Sequence, residues 1–242
     1  MRLWFLDRWL TLLFPIRCVL CRTRGERAVC QRCWDAFPRI ADACPRCDHP
    51  ATGAGWPTTN CADCARGAFT FVQARALGPH EGALRRAIIR LKFSGAWRVA
   101  DVLAERMAER VREAWPGLGF DAVVAVPMTA ERLRERGFNQ AALLAGRVAV
   151  RLGIRHQAGW LARRPTDQRQ STLARGMRRR HARGAFLAVV DKLAGRRVLL
   201  VDDVMTTGAT VGACARALTA RGATVWVLVA ARGVLRKECV NK

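Results

Sequence analysis

Acidic residues are scarce in this chain. Its 242 residues include 19 Asp and Glu against 42 Lys and Arg, which gives a formal net charge of +23 at pH 7. A charge of this size argues for partners that are polyanions, although composition does not separate nucleic acid from an anionic membrane or a ribosome. The length allows one large domain, or one and a half, with ample material for a buried core.

A long hydrophobic run is missing as well. The apolar stretch over residues 1–15 is interrupted by Asp7 and Arg8, and no small-residue cleavage site follows it. A membrane-spanning helix is therefore excluded by length, and a signal peptide is disfavoured. The stretch predicts an amphipathic segment over 1–17 that packs on the rest of the protein in preference to a membrane surface. Its apolar face carries Leu3, Leu6, Leu10 and Leu13.

Cysteine is nearly absent beyond residue 64, where only Cys214 and Cys239 occur. The other eight cysteines form four CxxC pairs, a pattern typical of metal thiolates in a reducing cytoplasm. We therefore expect a cytoplasmic protein, with contact at the inner face of the membrane as the alternative. The pairs are Cys18/Cys21, Cys30/Cys33, Cys44/Cys47 and Cys61/Cys64.

The spacing of these pairs predicts two zinc sites, because two CxxC pairs complete a tetrahedral set of four thiolates that suits Zn²⁺. Sequential pairing gives two small zinc ribbons over 18–33 and 44–64, whereas interleaved pairing, as in RING-like folds, fits the same spacing. A redox-active CxxC is the weaker interpretation, since no pair introduces a thioredoxin-like βαβ pattern. A segment this short has little core, so bound metal would supply much of its folding free energy.

Beyond Arg66 the sequence alternates between strand and helix patterns, with neither internal repeats nor low-complexity tracts. Such alternation predicts an α/β fold with a mainly parallel sheet flanked by helices. The predicted domains are the amphipathic segment 1–17, the cysteine module 18–66 and the α/β domain 67–242. Strands are expected at 69–77, 120–126, 198–201 and 223–230, and helices at 81–93, 99–114, 141–152 and 211–221.

The stretch VLLVDDVMTTGAT, residues 198–210, carries the clearest chemical signal. Its apolar start predicts a buried strand, and Asp202 and Asp203 follow at the edge of the sheet where ligands bind. The small residues that open the next helix offer backbone N–H groups to a phosphate, whereas the carboxylates suit ribose hydroxyls or Mg²⁺. A sugar phosphate is the ligand implied, and an ordinary turn with acidic cap residues is the alternative. The predicted phosphate-binding residues are Thr206, Thr207, Gly208, Ala209 and Thr210.

This stretch resembles the phosphoribosyl-pyrophosphate-binding motif of type I phosphoribosyltransferases. Further motifs in fixed order extend the resemblance to the ComF family, competence protein F and its relatives, along nearly the whole chain. They are the CxxC pairs after Leu12-Leu13-Phe14-Pro15 and the segments 84–95, 132–140, 170–186 and 198–210. The resemblance implies a double zinc ribbon joined to a type I phosphoribosyltransferase-like domain. It also implies a link to natural transformation, in which imported single-stranded DNA enters the cytoplasm.

The resemblance assigns roles to individual residues. Asp202 and Asp203 are the expected catalytic pair on the ribose, with Mg²⁺ accompanying phosphoribosyl pyrophosphate. The loop after the strand 120–126 is expected to receive pyrophosphate, although the family often has Pro-Leu-His-Pro where this chain has Pro-Met-Thr-Ala at 127–130. The expected ligand-binding residues outside the motif 206–210 are Pro127, Met128, Thr129, Arg132, Arg136 and Lys92.

An arginine-rich run covers residues 163–183, with eight arginines and Asp167 as its only acid. It fits a lid that closes on pyrophosphate, and equally a stripe that tracks the backbone of single-stranded nucleic acid. Because the chain has no tyrosine, base stacking would have to come from arginine or Trp160. The candidate nucleic-acid contacts are Arg175, Arg178, Arg179 and Arg180.

Two functions are therefore expected. The first is a protein that binds phosphoribosyl pyrophosphate and supports natural transformation, with single-stranded DNA and a helicase-like protein as partners. The second is an active phosphoribosyltransferase that acts on an unidentified base or nucleotide acceptor in nucleotide salvage. The motif 198–210 favours a site that still binds ligand, and no stretch of the sequence identifies a base pocket.

Overall fold

The computed structural model describes residues 16–25, 27–40, 42–51, 60–93, 97–164 and 184–233. Nearly all of the predicted amphipathic segment 1–17 lies outside these ranges. So does most of the arginine-rich run, including the candidate nucleic-acid contacts Arg175, Arg178, Arg179 and Arg180.

A four-stranded parallel sheet with flanking helices forms the centre of the molecule, which confirms the predicted α/β class. The strands of this sheet are β1 (Ala74–Pro79), β2 (Ala122–Ala125), β5 (Arg197–Met205) and β6 (Thr224–Arg232). Their order is β1-β6-β5-β2, and every neighbouring pair runs parallel. The helices are α1 (Gln31–Asp35), α2 (Ala62–Ala65), α3 (Gly82–Phe93), α4 (Trp97–Ala114), α5 (Ala130–Arg136), α6 (Gln140–Leu152) and α7 (Ala209–Thr219).

Side chains of β5 alternate between the two faces of the sheet, as the pleat of a strand requires. Val198 and Leu200 pack in a core that includes residues of α7, whereas Leu199 and Val201 pack in a second core with residues of α3, α4 and α6. All four side chains are fully buried. The sheet is therefore covered on both faces, which explains why this strand is continuously apolar in sequence.

The two cysteine clusters differ in what they pack against. Cys44, Cys47, Cys61 and Cys64 belong to the same core as α7 and the sheet, together with Phe69 and Phe71. Cys18 and Cys33 instead form a small separate cluster with Val29. The second ribbon thus shares its hydrophobic core with the α/β part of the chain, and the predicted boundary at residue 66 stays a prediction.

A short antiparallel hairpin stands apart from the main sheet, formed by β3 (Leu161–Arg163) and β4 (Phe186–Ala188). Leu161, Phe186 and Ala188 are buried in the core that contains residues of α7. The sequence analysis did not predict this hairpin, because three-residue strands are too short to establish an alternating pattern.

The end of β5 differs from the sequence prediction, which placed Asp202 and Asp203 after the strand. β5 continues to Met205, because β6 pairs with it along this length, with Asp202 opposite Val229 and Met205 opposite Arg232. On its other side the pairing with β2 stops where Ala125 meets Val201. The two acids therefore lie inside the strand but beyond the end of its neighbour β2.

Candidate functional site

The turn between β5 and α7 requires glycine at position 208. Gly208 has φ of 73° and precedes the first residue of α7. A Cβ atom there would lie 2.7 Å from both Met205 Cε and Phe69 Cε1, so the backbone sits directly on these side chains. The amide of Ala209 donates to Thr207 Oγ1 at 3.3 Å. The predicted loop 206–210 therefore forms a tight turn that presents the amino-terminal end of an 11-residue helix.

Asp203 lies on the face of the sheet that carries α3 and α6. Lys92 Nζ is 2.6 Å from its Oδ2 atom, and Gln140 Nε2 lies 3.5 Å from the same atom. Burial opposes ionisation of this carboxyl, but the Lys92 ammonium holds its pKa below the usual value. Asp203 is therefore an almost fully buried carboxyl group with a cation beside it that favours its ionised form.

Asp202 faces the opposite side, towards α7. Its Oδ1 atom accepts a hydrogen bond from the backbone N–H of Asp203 at 2.8 Å. Burial, and then the negative charge of Asp203, raise the pKa of Asp202 well above its usual value. The pair is thus electrostatically split, because one carboxyl favours the charged form and its neighbour favours the protonated form.

The segment after β2 lies at the same edge of the sheet as the acid pair, since Val126 N–H donates to the carbonyl of Val201 at 2.9 Å. Asn139 Nδ2 fixes this segment by donating to the Val126 carbonyl at 3.0 Å. Thr129 caps α5 by accepting from the backbone N–H of Arg132 at 3.2 Å. Pro127, Met128 and Thr129 therefore connect the end of this segment to α5, which carries Arg132 and Arg136.

Some of the predicted site residues contact one another in the structure. The roles assigned to all of them remain predictions. Lys92 contacts Asp203 directly, and Asp202 hydrogen-bonds to its neighbour. Arg132 lies within electrostatic range of Arg163 on β3, because its charge contributes to lowering the pKa of Arg163 after the larger effect of burial. Thr206 and Thr210 are exposed at the turn.

Two further residues at this site were missed by the sequence analysis. His80 follows β1, and its backbone N–H donates to the Arg232 carbonyl at 2.8 Å. Burial lowers the pKa of its imidazole, and the charges of Lys92 and Arg85 lower it further. Gln140 is buried next to Asp203. The position of His80 at the carboxyl end of a predicted strand was the available signal.

Both cysteine clusters have the geometry of four-ligand metal sites. In each, one Sγ atom from every cysteine lies within 4.8 Å of the others. The sets are Cys18, Cys21, Cys30 and Cys33, and Cys44, Cys47, Cys61 and Cys64. Pairing is therefore sequential, and interleaved pairing is excluded. Four thiolates are a donor set that fits Zn²⁺, so the chain contains two four-cysteine zinc-binding sites.

None of the helices within the described residues is both long enough and apolar enough to cross a bilayer.

Family comparisons agree with this geometry. A double zinc ribbon domain matches residues 9–65, and a phosphoribosyl transferase domain matches residues 98–238. The chain belongs to the phosphoribosyltransferase-domain family and carries a double zinc ribbon at its amino-terminal side.

Named relatives identify the branch of this family. "DNA utilization protein YhgH" of Salmonella typhi is 30% identical over 226 residues, which cover 90% of this chain and 98% of the relative. "Competence protein F" of Haemophilus influenzae is 28% identical over 217 residues, covering 86% and 93% of the two chains. "Competence protein ComFC" of Bacillus subtilis is 26% identical over 206 residues, covering 82% and 81%. The predicted membership of the ComF family is confirmed.

Part of this chain is similar to a solved structure, a glutamine phosphoribosylpyrophosphate amidotransferase from B. subtilis complexed with ADP and GMP. It is 23% identical, covers 54% of this chain and 25% of its own, and has a TM-score of 0.38.

We expect two zinc ions per chain, one in each cluster. Replacing buried Cys61 with Ser removes one thiolate of the second cluster, so the variant should retain one zinc ion and unfold more easily. Replacing Cys214 with Ser should leave both ions in place, because this equally buried cysteine lies on α7 outside the clusters. Elemental analysis with thermal unfolding measures both effects, and two ions retained by Cys61→Ser would contradict the assignment.

The split acid pair predicts opposite effects of two neighbouring substitutions on stability. The folded-state pKa of Asp203 is lowered, so its stabilising effect is present above the unfolded pKa and is lost as the pH falls through the folded pKa. The folded-state pKa of Asp202 is raised, so its contribution is present below the unfolded pKa and is lost as the pH rises through the folded pKa.

At pH 7, Asp203→Asn should therefore lower the free energy of unfolding, by roughly 1–3 kcal/mol for a charged hydrogen bond lost from a buried site. Asp202→Asn should raise it, because the raised folded-state pKa makes ionised Asp202 unfavourable in the folded protein, whereas Asn keeps the acceptor for the Asp203 N–H and does not ionise. The deficit of Asp203→Asn should shrink only as the pH falls below the ordinary aspartate pKa of 3.8 and through the lowered folded-state pKa. Urea unfolding at several pH values measures this, and equal losses in both variants would be inconsistent with the split.

Proposed function

We propose that this chain binds phosphoribosyl pyrophosphate with Mg²⁺ at the carboxyl edge of β5 and supports natural transformation by handling imported single-stranded DNA. The observation that carries the proposal is the acid pair Asp202 and Asp203, which lies next to the glycine turn at the start of α7. Carboxyl groups beside a helix amino terminus suit a ligand that combines sugar hydroxyls with a phosphate.

The charge balance of this edge supports an anionic ligand. Lys92 offsets the ionised Asp203, and the raised pKa of Asp202 favours its neutral form, so the edge does not carry two uncompensated negative charges. In this arrangement the acid pair can both donate and accept hydrogen bonds with ribose hydroxyls. When bound, Mg²⁺ would supply positive charge to the pyrophosphate, with carboxylate oxygens as suitable ligands.

The two loops that flank the acid pair would divide the phosphates between them. Residues 206–210 would hold the 5′-phosphate at the start of α7. The segment 127–132 would hold pyrophosphate, with Arg132 and Arg136 on α5 as its cations. Because β2 and β5 are adjacent parallel strands, these loops lie at the same edge of the sheet.

The proposed link to DNA draws on charge and on the relatives. Two of the relatives are named as competence proteins and a third as a DNA utilization protein. The net charge of +23 favours a polyanion, and α3, the helix that carries Lys92, also presents exposed Arg85 and Arg86. The same proposal places the protein in the cytoplasm with a competence helicase as partner, and peripheral contact with the inner face of the membrane is the less favoured alternative.

Transfer of the phosphoribosyl group to an acceptor is the second candidate function. The hairpin β3–β4 supports it, because Arg163 lies there over the Phe186 ring, 5.2 Å from its centroid. The Nε atom of Arg163 is buried and has no hydrogen-bond partner among the described residues. In such a transfer the C1–pyrophosphate bond breaks towards an oxocarbenium-like state, and the protein contributes positioning and charge. Assays with a panel of bases and nucleotides test this function.

The double variant Asp202→Asn, Asp203→Asn tests the ligand site. It removes charge from the proposed ribose and Mg²⁺ contacts, so the binding free energy for phosphoribosyl pyrophosphate should weaken by at least ~2 kcal/mol. Binding of single-stranded DNA should stay level or rise slightly, since negative charge leaves a basic protein. Calorimetry and fluorescence anisotropy measure the two affinities.

Asp121→Asn is the matched control, because Asp121 contacts the amino-terminal end of the same strand through the Arg197 N–H at 2.7 Å. This variant should bind the ligand normally. Unchanged affinity of the double variant would place the ligand elsewhere.

The arginine-rich run can be tested through the salt dependence of DNA binding. If Arg178, Arg179 and Arg180 contact phosphates, replacing all three with Ala should flatten the slope of log K against log salt by up to about 2, at roughly 0.7 per charge for single strands. A second variant replaces Arg85 and Arg86, which are exposed on α3, and its salt slope is measured in the same way. A slope left unchanged by the triple variant would assign those arginines to a lid or to no role at all.

A further inference from the structure

Arg232 is a buried arginine that lies between the second cysteine cluster and the turn that begins α7. We propose that it is a positioning residue, through which the metal site of Cys44, Cys47, Cys61 and Cys64 holds this turn in its binding conformation. Metal retention and ligand binding are then coupled. The ligand part of this inference rests on the proposed binding of phosphoribosyl pyrophosphate.

The contacts of Arg232 span both sites. It is the last residue of β6 and is 2% exposed. Its Nε atom donates to the carbonyl of Cys47 at 3.1 Å. Its Nη1 atom donates to the carbonyls of Met205, at 2.7 Å, and of Thr206. One guanidinium therefore bridges a metal-site residue and the turn that is proposed to hold the 5′-phosphate.

The charge of Arg232 also points to the metal site. Within the part of the chain that the structure describes, no carboxylate lies at ion-pair distance from this guanidinium. A buried cation without a counter-charge is strongly unfavourable. A zinc ion with four thiolates carries a net negative charge, and Arg232 contacts the backbone of one of the ligating cysteines. The loaded site would therefore supply the charge that makes burial of Arg232 tolerable.

A second contact from the same ribbon fixes Phe69, whose ring packs against the turn. Arg46 lies between Cys44 and Cys47, and its Nη2 atom donates to the carbonyls of Phe69 at 2.9 Å and Phe71 at 3.0 Å. The Phe69 ring lies so close under the turn that a Cβ on Gly208 would be 2.7 Å from it. The second ribbon thus contacts the turn by two routes, through Arg232 and through Arg46 with Phe69.

The first cluster has no such connection among the described contacts. Cys18 and Cys33 pack with Val29, and partly buried Trp34 and Val102 lie against them. Arg106 of α4 stacks over Trp34, 4.3 Å from the ring centroid. These contacts lead to α4 and not to the turn, so the coupling should involve only one of the two metal sites.

Reciprocity gives the inference a measurable form, because a coupling between two sites changes both affinities by the same factor. Bound phosphoribosyl pyrophosphate should raise the zinc affinity of the second cluster, seen as reduced loss of that ion to a chelator, and leave the affinity of the first unchanged. Arg232→Met should keep the two cysteine sets but lower ligand affinity, by about tenfold for one charged hydrogen-bond bridge. Arg232→Lys keeps the charge but lacks the fork that reaches both carbonyls, so it should restore only part of the affinity.

The experiment compares wild type with Arg232→Met, Arg232→Lys and the control Arg110→Met. Arg110 also contacts the second ribbon, at Asp48 Oδ2 over 3.6 Å, but its described contacts do not include the turn. Amide hydrogen exchange of residues 205–210 is measured without ligand, before and after zinc removal. Zinc release to a chelator is then followed with and without Mg²⁺ and phosphoribosyl pyrophosphate, and a Cys21→Ser variant assigns the phase that belongs to the first cluster.

We expect exchange at 205–210 to accelerate about tenfold in Arg232→Met and on loss of the second zinc ion, with the control unchanged. Unchanged exchange in both cases would overturn the inference without reference to any ligand. The inference would also be overturned if phosphoribosyl pyrophosphate binds wild type but reduces zinc release from neither cluster, or from both clusters equally. A wild-type chain that fails to bind phosphoribosyl pyrophosphate while exchange responds as expected would instead contradict the proposed function and leave the positioning role of Arg232 supported.

Discussion

The site depends on the unequal pairing of β5 with its two neighbours. β6 pairs with β5 as far as Met205, whereas β2 pairs with it only as far as Val201. The backbone of β5 is therefore held rigidly through the acid pair from one side while the other side is left open. Because successive side chains of a strand point to opposite faces, Asp202 and Asp203 enter different environments although they are adjacent in sequence. Their opposite pKa shifts follow from this placement.

The basic character of the chain takes two different physical forms. Buried or half-buried cations such as Arg232 and Lys92 make fixed contacts with backbone carbonyls or with Asp203. Exposed arginines on α3 remain hydrated and contribute to the long-range field. The first group shapes the site, and the second attracts polyanions in a manner that salt screens. A single value of net charge conceals this division of roles.

The sequence predicted the parallel sheet and both four-cysteine sets because these features have local signals: continuous apolar runs and CxxC spacing. It could not show that β5 continues through Asp203, since that depends on hydrogen bonds to β6. It did not choose between sequential and interleaved cysteine pairing, which spacing leaves open.

Gln140, His80 and Arg232 were missed for a related reason. Gln140 ends the segment 132–140, and His80 follows a predicted strand, but these signals do not show what either side chain contacts. The role of each of the three residues comes from the elements that pack around it. Contacts such as Lys92 with Asp203, 111 positions apart in the chain (203 − 92), exist only once α3 and β5 are packed together.

The state of the cysteines has a practical consequence for the chemistry of this protein. Eight of the nine described cysteines belong to the two metal sites, and the ninth, Cys214, is fully buried on α7 with a pKa raised by burial. Oxidants and alkylating reagents act on exposed thiolates. Among the described residues, a loaded chain therefore offers few targets, and thiol modification there would report loss of metal before it reported any change at the acid pair.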